Sequence, residues 1–300
     1  MRTVTNYYGI TGRVPFLNVD VDNDNELFVD LSAIRLERGP EPYRELALNA
    51  AGTFLEEIVD GILDGSPPRL ERAHRMLLAF REPWQTRLGF TSVGSFGRGG
   101  AEWTGDELFR ALTEDAEALT VVGILQRLDQ IPIFVEGIGP DITSDITTRV
   151  IMESLVQFTQ AMMREYPQLT RGSRRVRLRM WDATLRRWVD RLVELPAPDG
   201  QALVLVPEMW TRANPLIRPS RFHGIAALGY VQDREAAYDR RQRRWIKTPK
   251  WVLKQRDDLS EIRLANLRVT LLALAEGQDL LEAFDRYLAE WYWREGRRSA

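Results

Sequence analysis

The sequence predicts a mainly helical α+β fold, with short antiparallel β segments near residues 14–31 and 175–206. Three observations support this class. Long stretches carry apolar residues at helical spacing, shorter ones alternate polar and apolar residues, and clusters of Asp, Asn, Pro and Gly separate them. The chain has 300 residues, 44% of them hydrophobic and 28% charged, so it is long enough to bury a sizeable core.

The N-terminal part is predicted as two strands followed by two helices. Residues 14–21 and 26–31 are predicted to be short strands, and the turn-forming residues 22–25 join them into a hairpin. Residues 44–63 carry an apolar stripe that is typical of a helix. Pro67 then opens the next helix, because proline is favoured in the first helical turn.

The rest of the chain is predicted as further helices around a second β portion. A capping box at Thr104–Glu107 predicts a helix that starts at Asp106. The remaining predicted elements are helices over 106–119, 142–166, 259–276 and 280–295, and strands over 175–181, 185–195 and 201–206. A shift in charge suggests a boundary near residue 170. It divides a helical domain, residues 1–170, from a basic β-containing and C-terminal helical portion, residues 171–300, packed with the first as one unit.

Composition excludes several kinds of site. The chain has no Cys and only two His, His74 and His223, which excludes disulfides, Cys-based zinc sites, iron–sulfur clusters and a thiol nucleophile. We therefore predict no metal site, and a metal required by another mechanism would need carboxylate ligands. The N-terminus lacks the apolar core of a signal peptide and no apolar run is long enough for a membrane span. These features predict a cytoplasmic protein without a membrane partner.

Positive charge is concentrated in one stretch of an otherwise acidic chain. Residues 171–256 carry 20 basic and 8 acidic groups, a balance of +12, whereas the whole chain has a net charge of −2. Such segregation is typical of a surface that binds a polyanion. The alternative is that these cations pair with the acidic residues 101–170, which carry 4 basic and 12 acidic groups.

Aromatic residues are interspersed among these cations, which favours nucleic acid because their faces can stack on unpaired bases. Arg175, Arg177 and Arg179 alternate with apolar residues, so a strand would present all three on one face. The predicted DNA-binding residues of this stretch are Arg175, Arg177, Arg241, Arg243, Arg244, Trp245, Lys247 and Lys250. The three Lys of the protein all lie within residues 247–254.

Two glycine clusters supply further candidates. Residues 94–100 could form a flexible anion-binding loop, in which Arg98 would contact DNA. The second cluster, residues 134–141 (FVEGIGPD), lies between an apolar helical stretch, residues 119–128, and the predicted helix from Ile142. The pattern is a helix, then a hydrophobic-x-Gly-Ile-Gly-Pro turn, then a second helix. It resembles the helix-hairpin-helix segment of DNA-binding proteins, including the helix-hairpin-helix DNA glycosylases.

The resemblance covers about a tenth of the chain and implies a phosphate site. The backbone N–H groups of Gly137 and Gly139, with the positive end of the next helix, would hold a DNA phosphate. Arg149, on that helix, is a further DNA-binding candidate. Glu136 and Asp141 depart from the family pattern. Carboxylates at these two positions would repel a phosphate at close range. As a whole, the chain also resembles bacterial phage-defence DNA glycosylase-like proteins.

Carboxylates are the candidate catalytic groups. Asp141 and Asp145 are one helical turn apart and Glu136 precedes them, while Asp20 and Asp22 lie near the N-terminal turn. Such groups can activate water to hydrolyse an N-glycosidic bond, or bind Mg²⁺ for phosphodiester cleavage. Helix-dipole compensation and turn formation are the alternative roles.

The favoured function is a monofunctional DNA glycosylase that excises a modified base, such as a bulky modified cytosine of phage DNA, in antiviral defence. Its partner would be double-stranded DNA with an extruded base, and it would need no cofactor. The sequence lacks a PD-(D/E)xK motif, a GxSxG motif, and a Lys beside the Gly137 hairpin to serve as a lyase nucleophile. The alternatives are a carboxylate- and Mg²⁺-dependent nuclease and a non-catalytic nucleic-acid-binding protein.

Overall fold

The computed structural model describes residues 2–80, 83–89, 100–114 and 116–294. The chain divides into two compact units. The first unit comprises Met1–Asp129 and Ile138–Pro215, and the second comprises Gln130–Gly137 and Leu216–Ser299. The change predicted near residue 170 does not coincide with this division. The β residues that follow position 170 pack against a helix of the first unit, where Arg191 forms an ion pair with Glu153 at 3.0 Å.

Helices provide most of both units. In chain order they are α1 (Val4–Tyr8), α2 (Leu31–Leu36), α3 (Tyr43–Asp64), α4 (Pro67–Leu78), α5 (Gly100–Thr113), α6 (Ala116–Ile124), α7 (Ile131–Phe134), α8 (Pro140–Val150), α9 (Met152–Glu165), α10 (Pro219–Phe222), α11 (Leu228–Arg234), α12 (Lys250–Leu253), α13 (Asp257–Ser260), α14 (Ile262–Ala275) and α15 (Leu280–Arg294). A π-helical turn, His223–Ala227, joins α10 to α11. Among the described residues, no helix is long and apolar enough to cross a membrane.

The strands are short and pair only in twos within the described residues. They are β1 (Phe28–Val29), β2 (Arg174–Asp182), β3 (Arg187–Leu195), β4 (Thr211–Arg212), β5 (Ala237–Asp239) and β6 (Arg244–Ile246). Strand β1 pairs with β4, β2 with β3 and β5 with β6, each pair being antiparallel. The predicted mainly helical α+β class is therefore confirmed.

Helices with a clear apolar stripe lie close to their predicted positions. Phe54 and Ile58 of α3 are buried along its predicted stripe. Gly65 ends α3 in the left-handed conformation, with φ at 70°, and Pro67 begins α4. Helices α14 and α15 likewise match the two predicted C-terminal helices within three residues at each end.

Two helix predictions were wrong in their boundaries. Helix α5 begins at Gly100, so Thr104 lies inside the helix and is not its N-cap. The long helix predicted over 142–166 is divided into α8 and α9 at Ile151, where φ is −88° and ψ is 9°. The residues before the break are rich in β-branched side chains, which lower helix propensity.

The predicted N-terminal β-hairpin was also wrong. Strand β1 pairs with β4, about 180 residues later in the chain, and residues 14–21 form no regular strand. Their backbone is satisfied elsewhere, for example by a 2.8 Å hydrogen bond from Leu17 N to the Val206 carbonyl. Val14, Phe16, Val19 and Val21 are buried. The hydrogen-bond partners of this segment are distant in sequence, and local periodicity does not reveal such partners.

The second β portion was predicted correctly for two of its three strands. Strands β2 and β3 form a hairpin in which Arg175 and Arg177 are exposed while Leu178 and Met180, of opposite parity, are buried, as the alternation predicts. Residues 201–206 are mostly buried but form no strand. Leu205 N instead donates to Thr159 Oγ1 at 2.9 Å, so a side chain replaces a neighbouring strand.

An aromatic cluster fills part of the first unit. Trp181 is fully buried, and its ring lies 5.1 Å from that of Phe54 and 5.7 Å from that of Trp188. The indole N–H groups are satisfied, since Trp181 donates to Thr53 Oγ1 at 3.0 Å and Trp188 to the Met76 carbonyl at 3.0 Å. Trp181 therefore belongs to the core, and the half-buried Trp188 packs at its edge.

Helices α4 and α5 pack closely at Gly105. A Cβ atom at this position would lie 2.6 Å from the Leu77 carbonyl oxygen. We expect Gly105→Ala to lower the free energy of unfolding by roughly 1–3 kcal/mol, because the helices must separate to admit the methyl group. Gly52→Ala is the matched control. Gly52 is exposed on α3 with no atom within 4 Å of its Cβ position, so this change should raise stability by roughly 0.5–1 kcal/mol.

Urea denaturation of both variants measures the difference. Equal stability of Gly105→Ala and the unmodified protein would contradict close packing of α4 against α5.

Candidate nucleic-acid interface

A strongly cationic exposed segment lies in the second unit. We call residues 237–254 the basic hairpin; they comprise β5, a turn, β6 and α12. They carry seven basic residues and one acidic residue, Asp239. Its exposed cations are Arg240, Arg241, Arg243, Arg244, Lys247 and Lys254. A short segment with this charge ratio creates a positive potential to which an anion is attracted.

The one carboxylate of the basic hairpin, that of Asp239, forms hydrogen bonds with the backbone of the turn. Asp239 Oδ1 accepts from the backbone N–H groups of Arg241 and Gln242, at 2.7 and 3.1 Å. Because Asp239 satisfies the turn backbone, it does not pair with the neighbouring guanidinium groups. Among the described residues, the side chains of Arg240, Arg241 and Arg243 have no hydrogen-bond or ion-pair partner. They are therefore available to an external anion.

The other cations of the basic hairpin differ in availability. Arg244 Nε donates to the amide oxygen of Gln242, Oε1, at 2.7 Å. Lys247 forms an ion pair with Asp233, which ties the end of β6 to α11. Lys250 donates to the Gly224 carbonyl, and burial, with smaller contributions from nearby lysines, lowers its pKa. Of the predicted DNA-binding residues in the basic hairpin, Lys247 and Lys250 thus have structural partners, whereas Arg241, Arg243 and Arg244 remain accessible.

Aromatic side chains accompany these cations. Tyr238 and Trp245 face each other across β5 and β6, with ring centroids 5.6 Å apart, and are 51% and 64% exposed. Trp251, at the start of α12, is 66% exposed. The predicted DNA-binding residues include Trp245 but not Tyr238, Arg240, Trp251 or Lys254, which lie in the same stretch. The strand register places Tyr238 beside Trp245, and register cannot be read from composition.

The arginine face of β2 and β3 belongs to the first unit and contains acidic residues. Arg175, Arg177 and Arg179 are exposed, as predicted. Their partners across the hairpin are Glu194, Leu192 and Asp190, and Arg179 pairs with Asp190 at 3.4 Å. This face is therefore partly neutralised, in contrast to the basic hairpin.

Other arginines of the +12 stretch pair with carboxylates of the first unit. Arg186 contacts Glu56 at 2.7 Å and Glu57 at 3.2 Å. Arg191 contacts Asp182 at 2.7 Å. Among the described residues, Arg179, Arg186 and Arg191 form ion pairs within the first unit, whereas in the basic hairpin Lys247 alone is ion-paired.

The glycines of the helix-hairpin-helix-like segment have conformations suited to a turn. Gly137 adopts a φ of +79°, and Gly139 is the N-cap of α8. The preceding helix is shorter than predicted, because α6 ends at Ile124 and only the four-residue α7 follows before the turn. Arg149, predicted to contact DNA, is only 5% exposed and interacts within the protein, so little of its side chain is accessible. Arg98 and most of the first glycine cluster lie outside the described residues.

The structure separates the candidate carboxylates. Asp141 and Asp145 lie in the first two turns of α8, half-buried, and each interacts with other groups of the protein. Glu136 belongs to the second unit, where it forms a 2.6 Å ion pair with Arg263 and its side chain is 83% exposed. Asp141 and Asp145 thus remain a pair on one helix face, without Glu136 in their unit.

Asp20 and Asp22 have structural contacts. Asp20 Oδ1 accepts from Asp22 N at 3.0 Å and its Oδ2 from Asn23 Nδ2 at 3.1 Å, and these hydrogen bonds lower the pKa of Asp20. Asp22 pairs with Arg2, which also contacts Asp199. These bonds organise the 20–25 loop. In the part of the chain that the structure describes, no three His, Cys, Asp or Glu side chains form a potential metal site.

The second unit contains a buried polar pair formed by His223 and Asn266. His223, 3% exposed at the start of the π-helical turn, has Nδ1 3.1 Å from Asn266 Oδ1. Burial lowers the pKa of His223, so the ring is neutral near pH 7. The Asn266 amide donates to the carbonyls of Ile133 and Pro219, both at 3.2 Å. This network fixes α7, α10 and α14 around the π-helical turn.

These features define a mainly helical α+β protein with an exposed cationic and aromatic hairpin. Residues 10–218 match the family described as Domain of unknown function (DUF8370), and the chain belongs to that family. The matched region ends before the basic hairpin. No curated protein and no solved structure matches the chain.

Proposed function

We propose that the protein binds DNA and that the basic hairpin is its principal phosphate-binding surface. The observation that carries the proposal is the set of exposed arginines without anionic partners, Arg240, Arg241 and Arg243, beside Arg244. Like charges this close repel one another, and a phosphate backbone relieves that repulsion while releasing its own counterions. Arginine also forms paired hydrogen bonds with phosphate oxygens.

A catalytic activity is the second part of the proposal. Asp141 and Asp145 form a half-buried carboxylate pair at the start of α8. A carboxylate in that environment can activate a water molecule, or stabilise the cationic sugar that develops as an N-glycosidic bond breaks. We propose a monofunctional DNA glycosylase that removes a modified base, in the cytoplasmic antiviral setting that the resemblance to phage-defence proteins implies. No lysine Schiff base is needed.

One incubation experiment tests the proposed reaction against the alternatives. The protein is mixed with end-labelled duplex DNA, either unmodified or carrying glucosylated hydroxymethylcytosine, in EDTA or in Mg²⁺, and half of each sample is heated in alkali. We expect breaks in the modified DNA only after alkali, and also in EDTA, because base excision leaves an alkali-labile abasic site and needs no metal.

The other outcomes contradict base excision in distinct ways. Breaks that require Mg²⁺ but not alkali would identify a nuclease, in which carboxylates hold the metal. DNA binding without breaks in any sample would identify a non-catalytic binding protein.

A further inference from the structure

The turn of the basic hairpin is fixed by its own hydrogen bonds. The two hydrogen bonds to Asp239 hold the turn, in which Arg243 adopts a φ of +51°. Two further bonds connect the end of β6 to α11: Lys247 pairs with Asp233, and Gln232 donates to the Thr248 carbonyl. A two-stranded ribbon has little stability alone, so these bonds are what hold β5 and β6 in place. The side chains on this ribbon are therefore presented in a defined arrangement.

One face of the ribbon consists of the aromatic pair. Tyr238 and Trp245 are directly opposite in the strand register, so their side chains project on the same side of the hairpin. Their rings meet edge to face, with 66° between the ring planes, and more than half of each side chain is exposed. Large aromatic side chains left in water contribute little to the core, and on a charged surface they mark a binding site.

The order of residues along the ribbon favours nucleic acid over a lipid surface. The tip holds Arg240, Arg241 and Arg243, and the aromatic pair lies behind it. A hairpin that enters a bilayer needs an apolar tip, since arginine is costly to bury in hydrocarbon. On DNA the same order places the guanidinium groups at the phosphates and the rings beside a base.

We infer that Tyr238 and Trp245 form a stacking platform for an unpaired base, so that the basic hairpin prefers single-stranded or locally opened DNA to intact duplex. The inference rests on the proposed DNA binding and specifies its substrate class. The face of a base is accessible only when the base is unpaired, extruded or at an end, whereas phosphates are accessible in every form of DNA.

The test compares two labelled DNAs, a dT20 strand and a 20-bp duplex, by fluorescence anisotropy. We expect Trp245→Ala to weaken binding of the single strand by about tenfold, the loss expected when one stacked base is removed, and to leave duplex binding unchanged. Trp245→Phe should restore most of the affinity, because it retains an aromatic face. Trp293→Ala is the matched control, since Trp293 is 40% exposed on α15 of the same unit.

Each other outcome overturns a defined part of the argument. If Trp245→Ala weakens both DNAs equally or neither, the stacking platform is wrong. If the stacking platform is wrong but Arg241→Ala still weakens binding of both DNAs, the proposed phosphate-binding surface remains supported. If the unmodified protein binds phosphatidylserine vesicles but neither DNA, both proposals fail. Circular dichroism of every variant establishes that the fold is retained.

Discussion

Replacing Arg240, Arg241, Arg243 and Arg244 together by Ala should reduce affinity for duplex DNA by about 100-fold at low salt. The slope of log K against log salt concentration should also become shallower, by up to about 0.9 for each phosphate contact that is lost. These residues are exposed on a turn and a short edge ribbon, so their replacement leaves the core of the second unit unchanged. Anisotropy titrations at several salt concentrations measure both quantities.

The control removes the same charge from a different surface. Arg175, Arg177, Arg179 and Arg187 are exposed on β2 and β3 of the first unit. Their replacement by Ala changes the net charge equally, but we expect a much smaller loss of affinity, because Asp190 and Glu194 already lie among them. Equal losses in the two variants would contradict a localised interface and indicate a general response to net charge.

Asp145→Asn should reduce base-excision turnover by about 100-fold, the usual loss when a general base is removed. The side chain keeps its size, so the fold should be retained. Binding should be unchanged or tighter, because a carboxylate near DNA repels phosphate. These opposite changes in turnover and affinity distinguish a catalytic carboxylate from one that only compensates the dipole of α8. Single-turnover measurement of abasic sites gives the rate.

Two further variants complete this test. Asp141→Asn is the companion at the first turn of α8, where helix capping is the competing role. Asp60→Asn, at an exposed position on α3, removes the same charge without altering α8 and should have full activity. Full activity of both α8 variants, in a protein with measurable excision, would show that the α8 carboxylates do not catalyse the reaction.

Local sequence signals predicted several of the longer helices and one hairpin, because these signals and structures both extend over only a few residues. The apolar stripe of α3, the prolines of α4 and the Arg alternation of β2 all act within a few residues. The pairing of β1 with β4 could not be predicted in this way. Phe28 pairs with Arg212, and most of the chain lies between these two residues. Each strand contributes only two residues to the pair, which is too short for a recognisable pattern.

The cationic stretch could be located from the sequence, but the pairing of its side chains could not. Charge counting located the +12 stretch, but it cannot distinguish a paired from an unpaired arginine. Arg186 and Arg241 look alike in sequence, yet Arg186 meets Glu56 and Glu57 of α3, whereas Arg241 has no side-chain partner among the described residues. The candidate carboxylates show the same limit. Residue type does not show that Asp20 is engaged by hydrogen bonds from Asp22 N and Asn23 Nδ2.

The second unit is built from two separate segments of the chain, and this limits where the protein can be divided into fragments. Helix α7 comes from the upstream segment, and its Ile131, Ile133 and Phe134 are buried. A fragment that stops with the family match at residue 218 would leave α7 without α14, and one that starts at residue 216 would lack α7. During synthesis, α7 likewise emerges long before the helices that cover it, so its apolar side chains are exposed to chaperones and proteases until α14 is made.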